Sequence, residues 1–539
     1  MSIQTPWEVL SASATKYPNH DALYIPESAC AHYADAAITL TYRVLKAAVG
    51  AQIQLWAASG VTGRVALVLE NRPAFFIHWL ALNALGISVI PLNHEMPDEE
   101  FSYYLEHGEA QAVVVLREHY DRLVAISQSM LSPVIVVADD AVSEHSFGAP
   151  VTPCEGNAER ECALLYTSGS TGKPKACVLT NDYFIQQGLW YGALDGYISL
   201  REGRERLLTP LPLSHMNAMS VSTMAMFMSG GCLIQLDRFH PSTWWQSVRE
   251  SRATALHYLG VLPAILLALP ECDSDDFSDQ IRFGFGAGVN PKHHQRFEQR
   301  FGFPLIEAWA MTECGAGGAI IANHEPRHVG SCCFGKPGAH LEWQLVDEQK
   351  QPVTAGTPGE LRVRARGVNP QKGYFSGYLK NAEATAEIWQ DGWLNTGDVV
   401  VEREDGSLAF VDRRKNIIRR SGENISALEI EAALGDHDAI QAVVATPVPD
   451  DMRGDEVAIC VVLKPHYQAT VETAIMIQAH ALKKLVYFKA PGWVIFHDAL
   501  PVTASNKPKR GDIKTLARDS VDNAKAIDLR HKKKRQEAV

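Results

Sequence analysis

The chain has 539 residues, of which 46% are hydrophobic and 21% are charged, and its formal net charge is −12. This length is too great for one ordinary core and predicts two or more domains, while the composition is that of a globular protein. The negative net charge argues against a nucleic-acid partner, because an acidic surface repels a phosphate backbone.

Short continuous apolar runs alternate with stretches of helical apolar spacing in the first part of the chain. Helices are predicted over 41–59, 75–85 and 97–106, and strands over 65–69, 88–92 and 112–116. Helices between short apolar runs are typical of a parallel sheet that is covered on both faces.

A polar loop follows, between an apolar run that ends at Tyr166 and a second one at 176–179. Its glycines let backbone N–H groups approach an oxyanion, and consecutive exposed N–H groups form an anion-binding nest. Hydroxyl donors and positive charges are supplied by Ser168, Ser170, Thr171, Lys173 and Lys175. The sequence therefore predicts strand, polar loop and strand, with the loop binding a polyphosphate.

The loop is not a Walker A motif. That motif has four residues between its glycines and a Ser or Thr after the lysine. Here Gly169 and Gly172 are separated by two residues, and Pro174 follows Lys173. The polyphosphate must therefore be bound in a different way.

Predicted strands and helices continue to alternate beyond the loop, and the sequence pattern then changes. The run 207–213 leads to Ser214 and His215, strands are predicted at 232–236 and 281–285, and helices at 216–229 and 291–301. Short alternating segments with frequent glycine between 335 and 410 predict a small antiparallel region. After a charged break at 412–416, a compact α+β part is predicted, with helices at 427–434 and 473–485 and strands at 442–448 and 457–463.

These patterns predict an α/β fold class with two domains. The larger, residues 1–412, has parallel-rich sheets covered by helices plus the small antiparallel β region. The smaller, residues 413–539, is an α+β domain of ordinary small size.

The ten cysteines are scattered without a CxxC pair or a Cys/His spacing suited to zinc, which predicts reduced thiols in a cytoplasmic protein. The N-terminus lacks the basic start and apolar core of a signal peptide. The most apolar stretches, 79–92 and 221–236, are too short or too broken by glycine to span a bilayer, so no stable membrane insertion is expected. The basic run at 530–535 is interpreted as a solvated, frayed terminus.

Three further clusters carry groups suited to a nucleotide and an acyl group. Thr312 and Glu313 place a hydroxyl and a carboxylate shortly after Trp309. Asp398, after a glycine, is an acceptor-only carboxylate of the kind that suits a ribose diol. Lys507 stands in a loop near the C-terminus. Each cluster alone is weak evidence, since such residues more often belong to turns and helix caps.

Taken in this order, the motifs resemble the adenylate-forming superfamily of acyl-CoA synthetases, peptide-synthetase adenylation domains and luciferases. The resemblance extends from about residue 39 to residue 510, and it rests on the motifs at 166–175, 312–313, 396–398, 412–413 and 422–425 and on Lys507. The stretch 417–426 looks most like the branch of crotonobetaine/carnitine-CoA and fatty-acyl-CoA ligases.

The resemblance implies an enzyme that activates a carboxylic acid as an acyl-adenylate, with ATP and Mg²⁺, and then passes the acyl group to coenzyme A. It also implies that the C-terminal domain is mobile. The implied partners are a small-molecule carboxylic acid and, as an option, a second copy of the chain. No nucleic-acid partner is implied.

The resemblance also assigns roles to individual residues. Lys507 would bridge the carboxylate and the α-phosphate, Thr312 would lie near the α-phosphate, Glu313 would coordinate Mg²⁺, and His215 would be an aromatic gate. The implied ATP-binding residues are Thr167, Ser168, Gly169, Ser170, Thr171, Gly172 and Lys175 for the phosphates, Gly286, Ala287, Gly288 and Trp309 for the adenine, and Asp398 and Arg413 for the ribose. The hinge matches Lys415, the CoA-binding residues are Ser421, Gly422 and Glu423, and the acid pocket includes His215, Asn217 and Gly315. The small residues at 315–318 predict room for a chain or ring.

Four residues depart from the family pattern. Trp309 stands where tyrosine is usual, which keeps a flat ring but loses a phenol hydroxyl. Asn416 replaces a common aspartate. Asn506 and Pro508 replace a glycine and a β-branched residue on either side of Lys507, which affects how that lysine is presented.

Two other functions remain open at this stage. The adenylate could be passed to a carrier-protein thiol or to an amine instead of CoA, with the acceptor on another chain. Alternatively, the protein could be a nucleotide-binding regulator that has lost catalysis, although the presence of Glu313, Asp398 and Lys507 counts against this.

Overall fold

The computed structural model describes residues 3–139, 151–167, 174–421, 423–502 and 507–533. The first elements are α1 (Pro6–Lys16), β1 (Asp21–Ile25), α2 (Glu27–Cys30), β2 (Ile38–Thr41), α3 (Tyr42–Ser59), β3 (Arg64–Val68), α4 (Pro73–Ala84), β4 (Val89–Pro91), α5 (Asp98–His107), β5 (Ala110–Val115), α6 (Tyr120–Ser129) and β6 (Ile135–Ala138). The next are β7 (Glu161–Thr167), β8 (Lys175–Thr180), α7 (Asn181–Gly192), β9 (Arg206–Thr209), α8 (Thr223–Ser229), β10 (Cys232–Gln235), α9 (Trp244–Glu250), β11 (Ala255–Leu259), α10 (Val261–Ala268), β12 (Phe283–Ala287), α11 (Pro291–Phe301), β13 (Leu305–Trp309) and β14 (Ile320–Ile321).

The remaining elements belong to the glycine-rich region and to the C-terminal part. The first group is β15 (Cys333–Gly335), β16 (Leu341–Val346), β17 (Gly359–Ala365), β18 (Gly377–Tyr378), α12 (Ala382–Ile388), β19 (Trp389–Gln390), β20 (Trp393–Glu402) and β21 (Leu408–Arg413). The second is β22 (Ile418–Arg420), β23 (Glu423–Ile425), α13 (Ala427–Leu434), β24 (Ile440–Asp450), β25 (Gly454–Leu463), α14 (Val471–Lys484), β26 (Trp493–Phe496), α15 (Arg510–Asp522) and β27 (Ile527–Asp528).

Two large sheets are mainly parallel. One has eight strands in the order β14-β13-β12-β11-β9-β10-β1-β2, and only its edge pairs β13–β14 and β1–β2 are antiparallel. The other has seven strands in the order β18-β8-β7-β4-β3-β5-β6, with β8 antiparallel to both of its neighbours. The predicted parallel-rich sheets are confirmed.

Strand β3 shows why the seven-stranded sheet is covered on both faces. Successive side chains of a strand point to opposite faces. Val65 and Leu67 accordingly pack into one apolar cluster with Trp79 of α4, whereas Ala66 and Val68 pack into a separate cluster with α5 and α6. A continuous apolar run therefore serves two cores at once.

The third sheet is antiparallel and has the order β15-β21-β20-β17-β16, with β19 pairing with β20. It confirms the small antiparallel region predicted from the glycine-rich segments. Along the chain, the last strand of this sheet is β21. The first strand of the fourth sheet, β22, begins five residues after β21 ends. The domain limits 1–412 and 413–539 and the mobility of the second domain stay predictions.

The fourth sheet forms the C-terminal α+β part, in the order β23-β22-β25-β26-β27 with β24 paired to β25. Helices α13 and α14 bury Ile430 and Ile477 in one cluster, and α15 buries Ile513 in another cluster with Val444 and Cys460. Within the described residues, no helix is long and apolar enough to cross a membrane.

The C-terminal basic run is more ordered than its sequence predicts. Arg530 forms ion pairs with Asp450 and Asp528, and the Lys533 side chain is only 1% exposed beside Glu456. The interpretation as a frayed terminus is therefore wrong for Arg530 and Lys533, because carboxylates of the C-terminal part hold these cations, whereas His531 and Lys532 are exposed. Residues 534 and 535 lie outside the described residues.

Candidate active site

The predicted phosphate loop joins two antiparallel strands. In the β7–β8 pair, Tyr166 lies opposite Ala176 and Thr167 opposite Lys175. The predicted order of strand, loop and strand is therefore confirmed. Six loop residues lie outside the described residues, namely Ser168, Gly169, Ser170, Thr171, Gly172 and Lys173. Their assigned roles on the phosphates stay predictions.

The Glu313 carboxylate lies beside this hairpin and is 6% exposed. Its Oε1 accepts a hydrogen bond from the Tyr378 hydroxyl at 2.8 Å, and Thr167 Oγ1 lies 3.5 Å away. Lys175 Nζ lies 5.0 Å from the centroid of the Tyr378 ring. The structure thus brings together two motifs that are far apart in sequence, through a tyrosine that the sequence analysis missed.

The surroundings of Glu313 fit a divalent cation bound together with a nucleotide. Mg²⁺ prefers oxygen ligands and is commonly held by one or two carboxylates plus substrate phosphates and water. Among the described residues, no group of three or more His, Cys, Asp or Glu could hold a metal ion by itself. A single carboxylate next to a phosphate loop is the arrangement that such a shared site requires.

Trp309, Asp398 and Arg413 form one cluster. The Trp309 indole Nε1 donates to Asp398 Oδ2 at 2.8 Å, and Arg413 Nε lies 3.0 Å from Asp398 Oδ1. The pairing of β20 with β21 sets Asp398 opposite Arg413, which is why these two predicted residues meet. Asp398 is 2% exposed, and burial raises the pKa of its carboxyl although Arg413 opposes that shift.

Asp398 Oδ1 fits a ribose hydroxyl. This oxygen is buried, and within the part of the chain that the structure describes it makes an ion pair with Arg413 at 3.0 Å but no hydrogen bond of good geometry. A carboxylate oxygen can accept from more than one donor. A sugar hydroxyl would supply such a donor, so the predicted role of Asp398 has a structural reason.

The structure also explains the tryptophan at position 309. Tyrosine is usual there, and its replacement loses a phenol hydroxyl. The indole N–H of Trp309 provides a donor to Asp398 instead. The departure therefore keeps a flat ring beside the carboxylate and fixes its orientation.

Gly286, Ala287 and Gly288 lie at the carboxyl end of β12, the edge at which parallel sheets commonly bind ligands. A Cβ at Gly286 would lie 2.3 Å from the Tyr258 carbonyl oxygen, so glycine is required by the packing against β11. Gly288 has a φ of +80°, and its N–H donates to Glu307 Oε2 at 3.0 Å. Ala287 is exposed. These residues form a flat strand end, and their contact with adenine stays a prediction.

Glu307 is a buried carboxylate that the sequence analysis missed. Besides Gly288 N–H, it accepts hydrogen bonds from the Tyr258 hydroxyl at 2.8 Å and from Val289 N–H at 3.2 Å. Burial raises the pKa of its carboxyl. Glu307 thereby holds the backbone that follows the glycine-rich strand end.

Lys507 and His215 lie near enough for their charges to interact although they are far apart in sequence. Burial and then the nearby Lys507 charge lower the pKa of His215, and burial and then the Arg413 charge lower the pKa of Lys507. By solvent accessibility the His215 residue is nonetheless exposed.

The segment around Lys507 is tied to the C-terminal part. Val502 and Pro508 form a β-bridge on either side of residues 503–506, which lie outside the described residues and include Asn506. Arg510, at the start of α15, donates to both oxygens of Glu431 at 2.8 and 2.7 Å. A bidentate pair of this kind fixes orientation as well as distance.

Asn217, a predicted acid-pocket residue, belongs to a polar cluster. It begins a turn of π-helix, Asn217–Ser222, and its Oδ1 lies 3.0 Å from His257 Nδ1. The Tyr191 hydroxyl lies 3.1 Å from His257 Nε2, and burial lowers the pKa of His257 to about 3. A neutral histidine therefore orients the Asn217 amide.

Two of the glycines at 315–318 pack closely against neighbouring side chains. A Cβ at Gly315 would lie 2.4 Å from Gln187 Nε2, and one at Gly317 would lie 2.5 Å from Tyr374 Cε2. Close packing is thus one reason for these small residues. The room for a chain or ring and the place of Gly315 in the acid pocket stay predictions.

The segment between the third and fourth sheets is held by Asp412, which is fully buried. It accepts hydrogen bonds from Ser426 Oγ at 2.8 Å and Leu428 N–H at 3.0 Å, and from Asn416 Nδ2 at 3.1 Å. The amide donor of Asn416 explains its replacement of a common aspartate, since a second carboxylate could not donate. Lys415, the predicted hinge, lies in the short turn Arg414–Asn416, and burial lowers its pKa.

Of the predicted CoA-binding residues, Ser421 and Glu423 are described and Gly422 is not. Ser421 has a φ of +52°, and its N–H donates to the Arg453 carbonyl at 2.8 Å. Glu423 is exposed at the start of β23. The loop thus begins with a fixed backbone, and its contact with CoA stays a prediction.

The structure thus places one buried carboxylate, Glu313, beside the β7–β8 hairpin, and a second, Asp398, in an ion pair with Arg413, whose charge acts on Lys507. The chain belongs to the AMP-binding enzyme family. The model of that family matches residues 10–378, and the model of the AMP-binding enzyme C-terminal domain matches residues 429–507. The resemblance to adenylate-forming enzymes is confirmed.

Curated relatives and solved structures agree with this assignment. The chain is 28% identical to the crotonobetaine/carnitine–CoA ligase of Citrobacter koseri, over 88% of this chain and 93% of the relative. It is 29% identical to the enzyme of that name from Shigella sonnei, over 84% and 88%.

Two solved structures show the same fold. The o-succinylbenzoate CoA synthetase of Bacillus subtilis in complex with its acyl-adenylate superposes with a TM-score of 0.81 at 23% identity, over 95% of this chain and 99% of that one. The Mycobacterium tuberculosis fatty acyl CoA synthetase superposes with a TM-score of 0.70 at 21% identity, over 97% and 99%. Another structure of the Bacillus enzyme contains ATP and a magnesium ion.

Proposed function

We propose that the protein is an AMP-forming acid–CoA ligase, which activates a carboxylic acid as an acyl-adenylate and transfers the acyl group to the thiol of coenzyme A. The observation that carries this proposal is the ion pair of Asp398 with Arg413, whose charge acts on Lys507, together with the Glu313 carboxylate beside the β7–β8 hairpin. Together they offer a metal-type carboxylate, a ribose-type carboxylate and a cation.

In the first half reaction, an oxygen of the acid attacks the α-phosphorus of ATP. A bond forms between that oxygen and phosphorus, and the bond to the bridging oxygen breaks, so that pyrophosphate leaves. Negative charge on phosphate makes cations and N–H donors the main source of catalysis. Lys507 would hold the acid against the α-phosphate, with Thr312 near that phosphate, while Thr167, Lys175 and residues 168–172 hold the leaving group.

Glu313 and the nucleotide phosphates would hold Mg²⁺, which when bound neutralises phosphate charge. Asp398 and Arg413 would bind the ribose hydroxyls. Trp309 and the strand end at 286–288 would flank the adenine. These groups position the α-phosphorus without taking part in bond making.

In the second half reaction, the CoA sulfur attacks the acyl carbon, AMP leaves and the thiol proton is released. We propose that residues 413–539 rotate about Lys415 between the two steps, so that Lys507 leaves and residues 421–423 approach. A hinge needs only a few residues to absorb such a change. His215 would then gate the acyl group, and Asn217 would line its pocket.

The first acids to test are crotonobetaine and carnitine, because the curated relatives carry those names. A panel should add linear fatty acids, aryl acids and dicarboxylic acids. Pyrophosphate release is measured with MgATP and each acid, with and without CoA, and the thioester product is identified by mass. Thioester formation that requires both ATP and CoA is the expected result.

The same panel separates the remaining alternatives. Pyrophosphate release with an acid, but without any CoA-dependent product, would favour a carrier-protein thiol or an amine as acceptor. Neither adenylate nor thioester across the panel would favour a regulatory protein. A cytoplasmic location and a homodimer also stay proposals, and size-exclusion chromatography with light scattering tests the second.

Trp309→Phe should weaken ATP binding. Phenylalanine keeps the flat ring but leaves Asp398 Oδ2 without the indole donor at 2.8 Å. Loss of one hydrogen bond to a buried charged group costs about 1.5–3 kcal/mol, so the KM for ATP should rise about 10- to 100-fold. Steady-state kinetics measure this, with Trp343→Phe in the third sheet as the matched control. An unchanged KM for ATP would contradict the assigned cluster.

A further inference from the structure

A buried ion cluster in the C-terminal part joins three distant segments of the chain. Arg420 Nε lies 3.0 and 2.9 Å from the two carboxylate oxygens of Glu456. Lys533 Nζ donates to Glu456 Oε1 at 2.6 Å and to the Phe488 carbonyl at 3.2 Å. The side chains of Arg420, Glu456 and Lys533 are 4%, 0% and 1% exposed. The cluster is part of the core, and it is not a surface ion pair.

The tail that carries Lys533 is built into the sheet. Strand β27 pairs with β26, and Leu529 N–H donates to the Gly492 carbonyl at 2.8 Å. A Cβ at Gly492 would lie 2.7 Å from Glu456 Cγ and 2.9 Å from Arg530 Cγ. Arg530 also lies over the Trp493 ring, 4.3 Å from its centroid. The tail therefore packs directly on the segment that contains Glu456.

The other end of the cluster adjoins the predicted CoA loop. Arg420 is the last residue of β22 and immediately precedes Ser421. It pairs with Gly454, while Ser421 N–H donates to the Arg453 carbonyl. The side chain and the backbone at the start of the loop are thus both fixed to the β24–β25 hairpin. Whatever holds Glu456 in place also holds the start of this loop.

The positive charge of Lys533 helps to hold Glu456 in this ion cluster. One carboxylate faces two cations, and Val457 N–H adds a hydrogen bond of 2.9 Å to Glu456 Oε1. Burial lowers the pKa of Lys533 to about 8, so most of this ammonium is still charged at neutral pH. Removing one member of a buried ionic cluster leaves the others with poorer partners and freer orientation. Lys533 also lies beyond residues 429–507, the extent of the family's C-terminal match.

We propose that Lys533 is a positioning residue for the second half reaction, in which the C-terminal tail orients the CoA loop through Glu456 and Arg420. The inference rests on the proposed function, because it takes residues 421–423 as the CoA-binding segment. It assigns the tail to thioester formation and leaves adenylate formation unaffected.

The test compares Lys533→Met with Lys532→Met in the full chain. Methionine keeps the length of the buried side chain without its charge, and Lys532 is the exposed neighbour. The acid is one that supports pyrophosphate release in the panel above. Adenylate formation is followed by ATP–pyrophosphate exchange, and thioester formation from supplied acyl-adenylate is followed as a function of CoA concentration.

Lys533→Met should raise the KM for CoA about 3- to 30-fold, which corresponds to roughly 0.7–2 kcal/mol, with exchange activity within about twofold of wild type. Lys532→Met should change neither. Glu456→Gln, which keeps the shape and loses the charge, should behave like Lys533→Met. Equal losses in both half reactions would overturn the proposal. An unchanged KM for CoA in both Lys533→Met and Glu456→Gln would overturn it as well.

Two outcomes are kept distinct by the design. If Lys533→Met does not fold, shown by its circular dichroism and melting temperature, Glu456→Gln and a Lys533→Arg variant that restores the cation decide the question. If the wild-type protein forms no adenylate with any acid, the proposed function fails. If wild type forms thioester and the variants match it, only the role of the tail fails.

Discussion

Lys507→Ala is expected to lower the rate of acyl-adenylate formation by about 100- to 1000-fold, which is typical for the loss of a group that stabilises charge in a transition state. The physical reason is that alanine removes the cation that would bridge the acid and the α-phosphate. Its place near His215 and Arg413 supports that role. ATP–pyrophosphate exchange measures the effect.

Thioester formation from supplied acyl-adenylate should stay within about threefold of wild type in the same variant, because the second step needs no cation between acid and phosphate. Lys509→Ala is the matched control, since Lys509 is exposed and two residues away on the same segment. It should leave both half reactions unchanged. A comparable loss of both steps in Lys507→Ala would exclude the division of labour between them.

The sequence alone predicts a parallel-rich region and an antiparallel region, because the signals for both types of sheet are local. The apolar run around Val65 to Val68 predicts a strand buried on both faces, and the structure divides its side chains between two cores. The glycine-rich texture between 335 and 410 likewise predicts the third, antiparallel sheet. Both follow from side-chain patterns within a few residues.

The site residues that were missed depend on pairing between distant strands. Tyr378 reaches Glu313 because β18 pairs with β8, which sets Tyr378 opposite Cys177. Glu307 reaches Gly288 because β12 and β13 are parallel neighbours. No periodicity within either segment indicates these contacts. Only the register between strands brings the groups together.

Two interpretations rest on residue type alone. The glycines at 315 and 317 suggest room for a ligand, but a Cβ at either position would meet Gln187 or Tyr374, so packing alone accounts for glycine there. The basic tail suggests solvation, but Glu456 buries Lys533. In both cases the residue type was interpreted without its long-range partner. The environment of a small or charged residue can be predicted only when that partner is known.

Glu313→Gln is expected to raise the Mg²⁺ concentration for half-maximal pyrophosphate release at least about tenfold, and to lower adenylate formation about a hundredfold. Glutamine keeps the shape and an acceptor for Tyr378, whose hydroxyl lies 2.8 Å from Oε1, but it loses the charge that a hard cation prefers. Pyrophosphate release is measured against MgCl₂ concentration at fixed ATP.

Tyr378→Phe separates the charge of Glu313 from its orientation. It removes the hydrogen bond to Oε1 but keeps the carboxylate and the ring beneath Lys175. Since the carboxylate charge is kept and only its orientation changes, the Mg²⁺ titration should shift clearly less than in Glu313→Gln. Coincident titrations of wild type and Glu313→Gln would remove Glu313 from the metal site. Equal shifts in Glu313→Gln and Tyr378→Phe would show that Glu313 acts through its contact with Tyr378 and not through its charge.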